Sequence, residues 1–291
     1  MKILGLLATY RRQGNSEVFV KEALRGAEEE GAEVEVLRLT NYHIRSCTGC
    51  ARCHTGLNPC HLKDDFNGLL QQVYGYDGII LGSPVYYLTA PAVLKLFMDR
   101  LVCEGYPIPL YGKPAALVMT YGNRGFHPYA FTLPNSLFLK WGMKVVDRAS
   151  IHSASPGDAM LDEVNLGRCK EMGRAVARAA RTGRATYQGE PGICPVCNDS
   201  IVRILKDRRT VICPTCGIRG HFVVADGQVQ VLFTEEEAKE GRYSPEQWYR
   251  HHMYHVELGQ EWFMATKDQR KAKREEYRNY PPAKVAEPAG D

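Results

Sequence analysis

Three short runs of this chain carry few polar side chains: residues 2–8 (Lys-Ile-Leu-Gly-Leu-Leu-Ala), 78–83 (Gly-Ile-Ile-Leu-Gly-Ser) and 115–120 (Ala-Ala-Leu-Val-Met-Thr). A strand with one wet face alternates polar and apolar residues. Runs like these are instead expected as strands buried on both faces, in a parallel sheet with helices on each side. The segments between them agree. Phe19, Ala23 and Ala27 recur every four residues in a helix that Ser16 is expected to N-cap and Gly31 to end. Residues 34–39 give a second strand. Phe66, Leu69, Leu70 and Val73 mark a short helix capped by Asp64 or Asp65, and Val93 to Leu101 a helix with Pro91 in its first turn. A helix around 127–140, a strand around 144–151 and a helix near 158–182, with Val164, Met172, Val176 and Ala180 inward, complete the pattern. Five strands alternating with five helices predict an α/β doubly wound five-stranded parallel sheet. Such sheets bind ligands beyond the carboxyl ends of their strands, which directs attention to the loops after strands one, three and four.

The character changes near residue 183. Boundaries are expected at 1–183 for the sheet domain, 190–233 for a small cysteine-bearing module of short β-like runs, and 234–291 for a helical extension with a flexible Pro-rich tail. The net charge of +4 is too small to argue for nucleic acid, and no apolar run approaches the roughly 20 residues of a membrane span. The N-terminal apolar stretch is too short for a signal segment, so the cytoplasm is the expected compartment and no membrane partner is expected.

The first loop is Thr9-Tyr10-Arg11-Arg12-Gln13-Gly14-Asn15-Ser16, and it opens a helix. Its hydroxyls, amide, backbone N–H groups and Arg11 suit a phosphate at a helix N-terminus, although neither the dinucleotide fingerprint nor a P-loop is present. Ser83-Pro84-Val85-Tyr86-Tyr87 follows the third strand and offers flat apolar surface. Tyr121-Gly122-Asn123-Arg124-Gly125 follows the fourth. The Gly5–Ser16 pattern, Gly-Ser-Pro-Val-Tyr at 82–86 and Leu-Lys-Leu-Phe-Met-Asp-Arg at 94–100 resemble the flavodoxin-like, NADPH-dependent FMN reductase superfamily over residues 1–180. The resemblance implies FMN, with its phosphate near Thr9, Arg11, Gly14, Asn15 and Ser16. Its ring would lie near Pro84, Val85, Tyr86, Tyr87, Tyr121, Gly122, Asn123 and Gly125. Ala8-Thr9-Tyr10 departs from the family's Gly-Ser-Pro but keeps the hydroxyl.

Eight of the ten cysteines fall in two sets. Cys47, Cys50, Cys53 and Cys60 lie within fourteen residues, three of them at two-residue gaps. Three thiolates so spaced can wrap one face of a cubane and a fourth can close it, whereas zinc prefers two separated knuckles. A 4Fe–4S cluster is the expected ligand. Together with FMN, this set resembles the iron–sulfur flavoproteins. That resemblance implies a homo-oligomer, dimer or tetramer, in which the cluster of one subunit lies close to the flavin of another.

Cys194-Pro-Val-Cys197 and Cys213-Pro-Thr-Cys216 are two knuckles fifteen residues apart. They are expected to form a zinc ribbon, with rubredoxin-type iron as the alternative. Arg203, Lys206, Arg208, Arg209, Arg219 and His221 give it some basic surface, but a small metal-stapled fold explains the module without nucleic acid. Trp248, His251, His252, His255, Leu258 and Trp262 make one helical stripe that either packs on a neighbour or lids the flavin.

The expected activity is an FMN- and 4Fe–4S-dependent oxidoreductase. It passes electrons from a ferredoxin-like one-electron donor through the cluster to FMN, and on to a small-molecule or protein acceptor. Tyr87, Tyr121, Arg124 and His127 are the expected acceptor pocket. The alternatives are an NAD(P)H-dependent flavin or quinone reductase with an auxiliary cluster, and a redox-sensing binding protein that uses the ribbon.

Overall fold

The computed structural model describes residues 1–55, 59–103, 108–251, 257–278 and 280. The chain divides into two compact units, Met1–Ser244 and Pro245–Asp291. The first holds a parallel sheet of β1 (Lys2–Leu7), β2 (Glu33–Arg38), β3 (Gly78–Pro84), β4 (Pro114–Tyr121) and β5 (Lys144–His152). Their order is β2-β1-β3-β4-β5, the flavodoxin-like arrangement, with its switch point between β1 and β3. The apolar runs are the three central strands, buried along nearly their whole length.

Helices α1 (Asn15–Glu29) and α5 (Glu163–Thr182) cover one face, and α2 (Phe66–Tyr74), α3 (Ala92–Arg100) and α4 (Thr132–Lys140) the other. On the second face Phe66, Phe97, Phe138 and Trp141 interlock, with Phe97 edge-on to Trp141 at 6.0 Å between ring centres. On the first, α1 and α5 touch backbone to backbone. A Cβ at Gly173 would stand 1.6 Å from the Ala23 carbonyl oxygen, and one at Gly26 would stand 1.9 Å from that of Lys170.

Several element starts differ from those expected. Gly14, not Ser16, is the N-cap of α1, because the Ser16 hydroxyl is bonded 2.7 Å from Thr120 Oγ1 on β4. Pro91 stands at the N-cap of α3 rather than inside its first turn. The helix expected from 127 begins at Thr132; residues 123–130 make two successive turns instead. The last helix of the domain begins at Glu163, where Asp162 Oδ1 accepts the Asn165 N–H. Val164 then points to solvent at 82% exposure, since this first turn precedes the part of α5 that meets the sheet.

The same unit carries a four-stranded antiparallel sheet, β6 (Arg203–Ile204), β7 (Thr210–Ile212), β8 (Arg219–Ala225) and β9 (Gln228–Leu232), followed by α6 (Glu235–Lys239) under a Thr234/Glu237 capping box. In the second unit Trp248 and His251 of the expected stripe lie on α7 (Pro245–His251) and Leu258 and Trp262 on α8 (Leu258–Ala265), followed by α9 (Lys267–Arg278). Within it the Arg270 guanidinium lies 4.0 Å over the Trp262 ring. His252 and His255 lie outside the described residues, as does the tail from residue 281. No helix among the described residues is long and apolar enough to cross a membrane.

Replacing Gly173 with Ala should force α5 off α1. A loss of about 2–3 kcal/mol of stability is expected, measured as a fall in the thermal unfolding midpoint; an unchanged midpoint would refute the contact.

Candidate functional site

The loops after β1, β3 and β4 follow three adjacent parallel strands and so meet at one edge of the sheet. The first loop is pinned from below by Arg38 at the end of β2. Its Nη1 donates to the carbonyls of Thr9 (3.0 Å) and Arg11 (3.2 Å), and its Nη2 pairs with buried Glu17. Burial pushes the Glu17 carboxyl up. The hydrogen bonds from Lys21, Arg38 and the Gln13 N–H outweigh that and hold it below the usual carboxylate range.

Asn15 ties the loop to the one after β5. Its Nδ2 donates to the Ser155 carbonyl at 2.9 Å, and its Oδ1 accepts the N–H groups of Gly157 and Ala159. Among the expected phosphate ligands, the side chains of Asn15 and Ser16 are thus engaged within the protein. Thr9 is buried and Arg11 exposed. No side chain among the described residues caps α1, which leaves the positive end of a fifteen-residue helix open toward the loop. An anion such as the FMN phosphate fits that opening.

After β3, Val85 donates its N–H to the Thr120 carbonyl at 2.7 Å, and a tight turn closes between Tyr86 and Thr89. The two central residues, Tyr87 (φ 46°) and Leu88 (φ 77°), are left-handed, a conformation that costs a bulky side chain energy. It throws the Tyr87 ring out to 97% exposure. The loop after β4 lies over this turn. Tyr129 donates its N–H to the Leu88 carbonyl, and Thr89 Oγ1 donates to the Tyr129 carbonyl.

Tyr121 and His127 stack face to face, 3.6 Å between centres and 10° apart in plane. His152, which no local pattern singled out, leans on Tyr121 and lies with Nε2 3.0 Å from the Gly122 carbonyl. The buried His127 Nδ1 has no hydrogen-bond partner among the described residues. Arg124 is exposed, as are Phe126 and Tyr129. Flat aromatic surface and an orphaned imidazole nitrogen at this edge suit a planar heterocycle.

The first cysteine set lies between β2 and α2. Cys47 and Cys50 are exposed, while Cys53 and Cys60 are half-buried. Backbone N–H donation from Arg52 and the Thr48 hydroxyl hold the Cys50 thiol below its ordinary value, which favours the thiolate that ligates metal. Beneath the loop, Arg100 on α3 and Asp64 form an ion pair with no side-chain exposure on either partner. Arg100 also donates to the Arg45 carbonyl at 2.9 Å, and Asn67 Nδ2 donates to the Cys60 carbonyl at 2.7 Å. One buried cation therefore fastens the start of the loop to its end. Among the described residues, these four thiols do not close within 4.8 Å as those of the second set do.

The second set does close. Cys194, Cys197, Cys213 and Cys216 are buried, with Sγ separations of 3.4 Å (Cys194–Cys216) and 3.5 Å (Cys197–Cys213). A tetrahedral ion bound at about 2.3 Å places its sulfurs only slightly farther apart. The turns are two matched knuckles, with Asn198 and Gly217 left-handed at equivalent places.

Sheet order, an open helix N-terminus and an aromatic-lined edge define a flavodoxin-like flavoprotein. Residues 1–156 match the NADPH-dependent FMN reductase family. An iron–sulfur flavoprotein of Archaeoglobus fulgidus is 31% identical over 226 residues, 78% of this chain and 96% of that protein. One of Methanocaldococcus jannaschii is 31% identical over 62% of this chain and 98% of its own. A flavone synthase of Aspergillus candidus is 29% identical over 77% of this chain and 79% of its own. A solved flavone reductase, 25% identical, superposes with a TM-score of 0.80 over 99% of this chain and all of its own. The chain belongs to the NADPH-dependent FMN reductase family and, within it, to the iron–sulfur flavoproteins. It is a flavin-dependent oxidoreductase.

Asp64→Asn leaves Arg100 buried and unpaired. It should cost about 3 kcal/mol and, on reconstitution, lower iron per chain while flavin per chain holds. Equal loss of both would show that the pair supports the whole fold rather than the cysteine loop.

Proposed function

We propose that this chain is an FMN- and 4Fe–4S-dependent oxidoreductase that takes electrons from a ferredoxin-like one-electron donor and gives them to a flat, conjugated small molecule. When bound, the cluster carries single electrons and the flavin stores one or two, so the pair couples one-electron carriers to two-electron chemistry. Cys47, Cys50, Cys53 and Cys60 would hold the cluster. Thr9, Arg11, Gly14, Asn15 and Ser16 would surround the phosphate, Asn15 and Ser16 through their backbone N–H groups. Pro84, Val85, Tyr86, Tyr87, Tyr121, Gly122, Asn123 and Gly125 would line the ring. A homo-oligomer would bring the cysteine loop of one subunit to the flavin edge of another. Cys194, Cys197, Cys213 and Cys216 would hold zinc.

The observation that carries this reading is the meeting of the three loops at the switch point, on a chain that also bears the four-cysteine loop. The acceptor class is supported by the exposed rings of Tyr87, Phe126 and Tyr129, and by the likeness to proteins named for flavone chemistry. His127, stacked on Tyr121, would lie beside the acceptor on that edge. Direct reduction by NAD(P)H is the second reading, supported by the family match.

Oxygen-free protein should contain about four irons, about one zinc and one FMN. Cys50→Ser should lose the broad iron–sulfur absorbance and keep its flavin; retention of four irons per chain would contradict the ligand assignment. Anaerobic stopped-flow separates the donors. Rapid flavin bleaching by NADPH alone selects the second reading, and bleaching only with reduced ferredoxin selects the first.

A further inference from the structure

The first knuckle of the buried four-cysteine site keeps Pro195 and Val196 exposed, but its carbonyl end is bolted to the main sheet domain. Asn135 of α4, wholly buried, donates from Nδ2 to the Cys197 carbonyl at 2.6 Å. Arg148 of β5 donates from Nη2 to the Asn198 carbonyl. Asp199, also buried, accepts from Thr132 Oγ1 at 3.3 Å, from the Ile201 N–H at 3.1 Å and from Thr215 Oγ1 in the second knuckle. Leu139 of α4 packs against the four cysteines. The knuckle is itself ordered around the sulfurs: Asn198 donates its N–H to the Cys194 carbonyl, and Cys194 donates its own to that of Asp199.

These contacts converge on the end of the loop that follows β4. Residues 122–131 run from Tyr121 to the start of α4. Thr132 is the first residue of that helix, and Phe131 lies under the Arg148 guanidinium at 4.6 Å. One end of the loop is therefore fixed by β4 and the other by the knuckle. Between them sit His127 and Tyr129, on the side of the site assigned above to the acceptor. Buried hydrogen bonds to a single carbonyl are directional, and losing one leaves a polar group unsatisfied at a real cost. Four crowded thiols in turn need a cation, or protons, to stay together.

We propose that Asn135 and Arg148 are positioning residues that hold loop 122–131 in its working shape by clamping it to the Cys197 and Asn198 carbonyls. The ion held by Cys194, Cys197, Cys213 and Cys216 thereby orders the acceptor side of the flavin site without entering the redox chemistry. This rests on the proposed placement of the acceptor beside that loop.

The test uses the full-length holoprotein with menadione, a two-ring quinone, as the acceptor probe. Asn135→Leu, Arg148→Met, Arg148→Lys and Cys213→Ser are compared by amide hydrogen exchange, flavin absorbance and steady-state kinetics. Asn135→Leu and Arg148→Met should raise exchange in 122–131 but not in 86–89 or 47–55, and raise KM for menadione about tenfold with a smaller change in kcat. Arg148→Lys, which keeps a donor, should recover most of the KM. Cys213→Ser should reproduce the loop effect and also open the module's own amides. Loop exchange unchanged in Cys213→Ser while the module opens would overturn the proposal, and so would a loosened loop with unchanged KM and flavin spectrum. If Asn135→Leu does not fold, the Arg148 pair decides. Wild-type protein without flavin would instead defeat the functional reading, and the exchange arm would still decide whether knuckle and loop are coupled.

Discussion

Two charges without access to water set the geometry of the cysteine loop. The side chains of Arg100 and Asp64 have no exposure, and a pair in that position is stable only when its remaining hydrogen-bonding capacity is spent well. Here most of it is spent on the chain that must be shaped, with Arg100 Nε left without a hydrogen-bond partner among the described residues. Asp64 accepts the backbone N–H groups of Arg45 and Phe66, and Arg100 caps the Arg45 carbonyl while its guanidinium rests on the Phe66 ring. The loop is thereby anchored to α3 and to the rigid second face of the sheet. The Arg38–Glu17 pair does the same for the phosphate-side loop. The cysteine loop and the loop after β1 therefore each rest on a cation buried beneath them.

Much of this was legible in the chain. The apolar runs identified the three central strands because a two-sided buried strand has few other sequence solutions. The cysteine spacings separated a cubane-like set from a two-knuckle set. What escaped was decided at long range. Ser16 has the local chemistry of a helix cap, but its hydroxyl is taken by Thr120, more than a hundred residues away. Arg38 and Glu17 look like ordinary surface charges in sequence, and Asp64, which reads there as a helix cap, pairs instead with Arg100. His152 gained its place only when β5 paired with β4.

The two cysteine sets differ in their surroundings. The first is partly exposed. The second is buried and pinned to α4 and β5 by buried polar side chains.

The close crossing of α1 and α5 has a consequence for how the molecule is made. Helix α1 carries the phosphate-side loop, yet its backbone fits against Gly173 near the end of the sheet domain, and Asn15 is held by carbonyl and N–H groups of residues 155–159. Contacts of such long sequence separation form late. During synthesis the sheet face that α1 and α5 share has only α1 on it until the last helix emerges. The loop that opens α1 therefore gains its last fixed contacts only when residues 155–173 are in place.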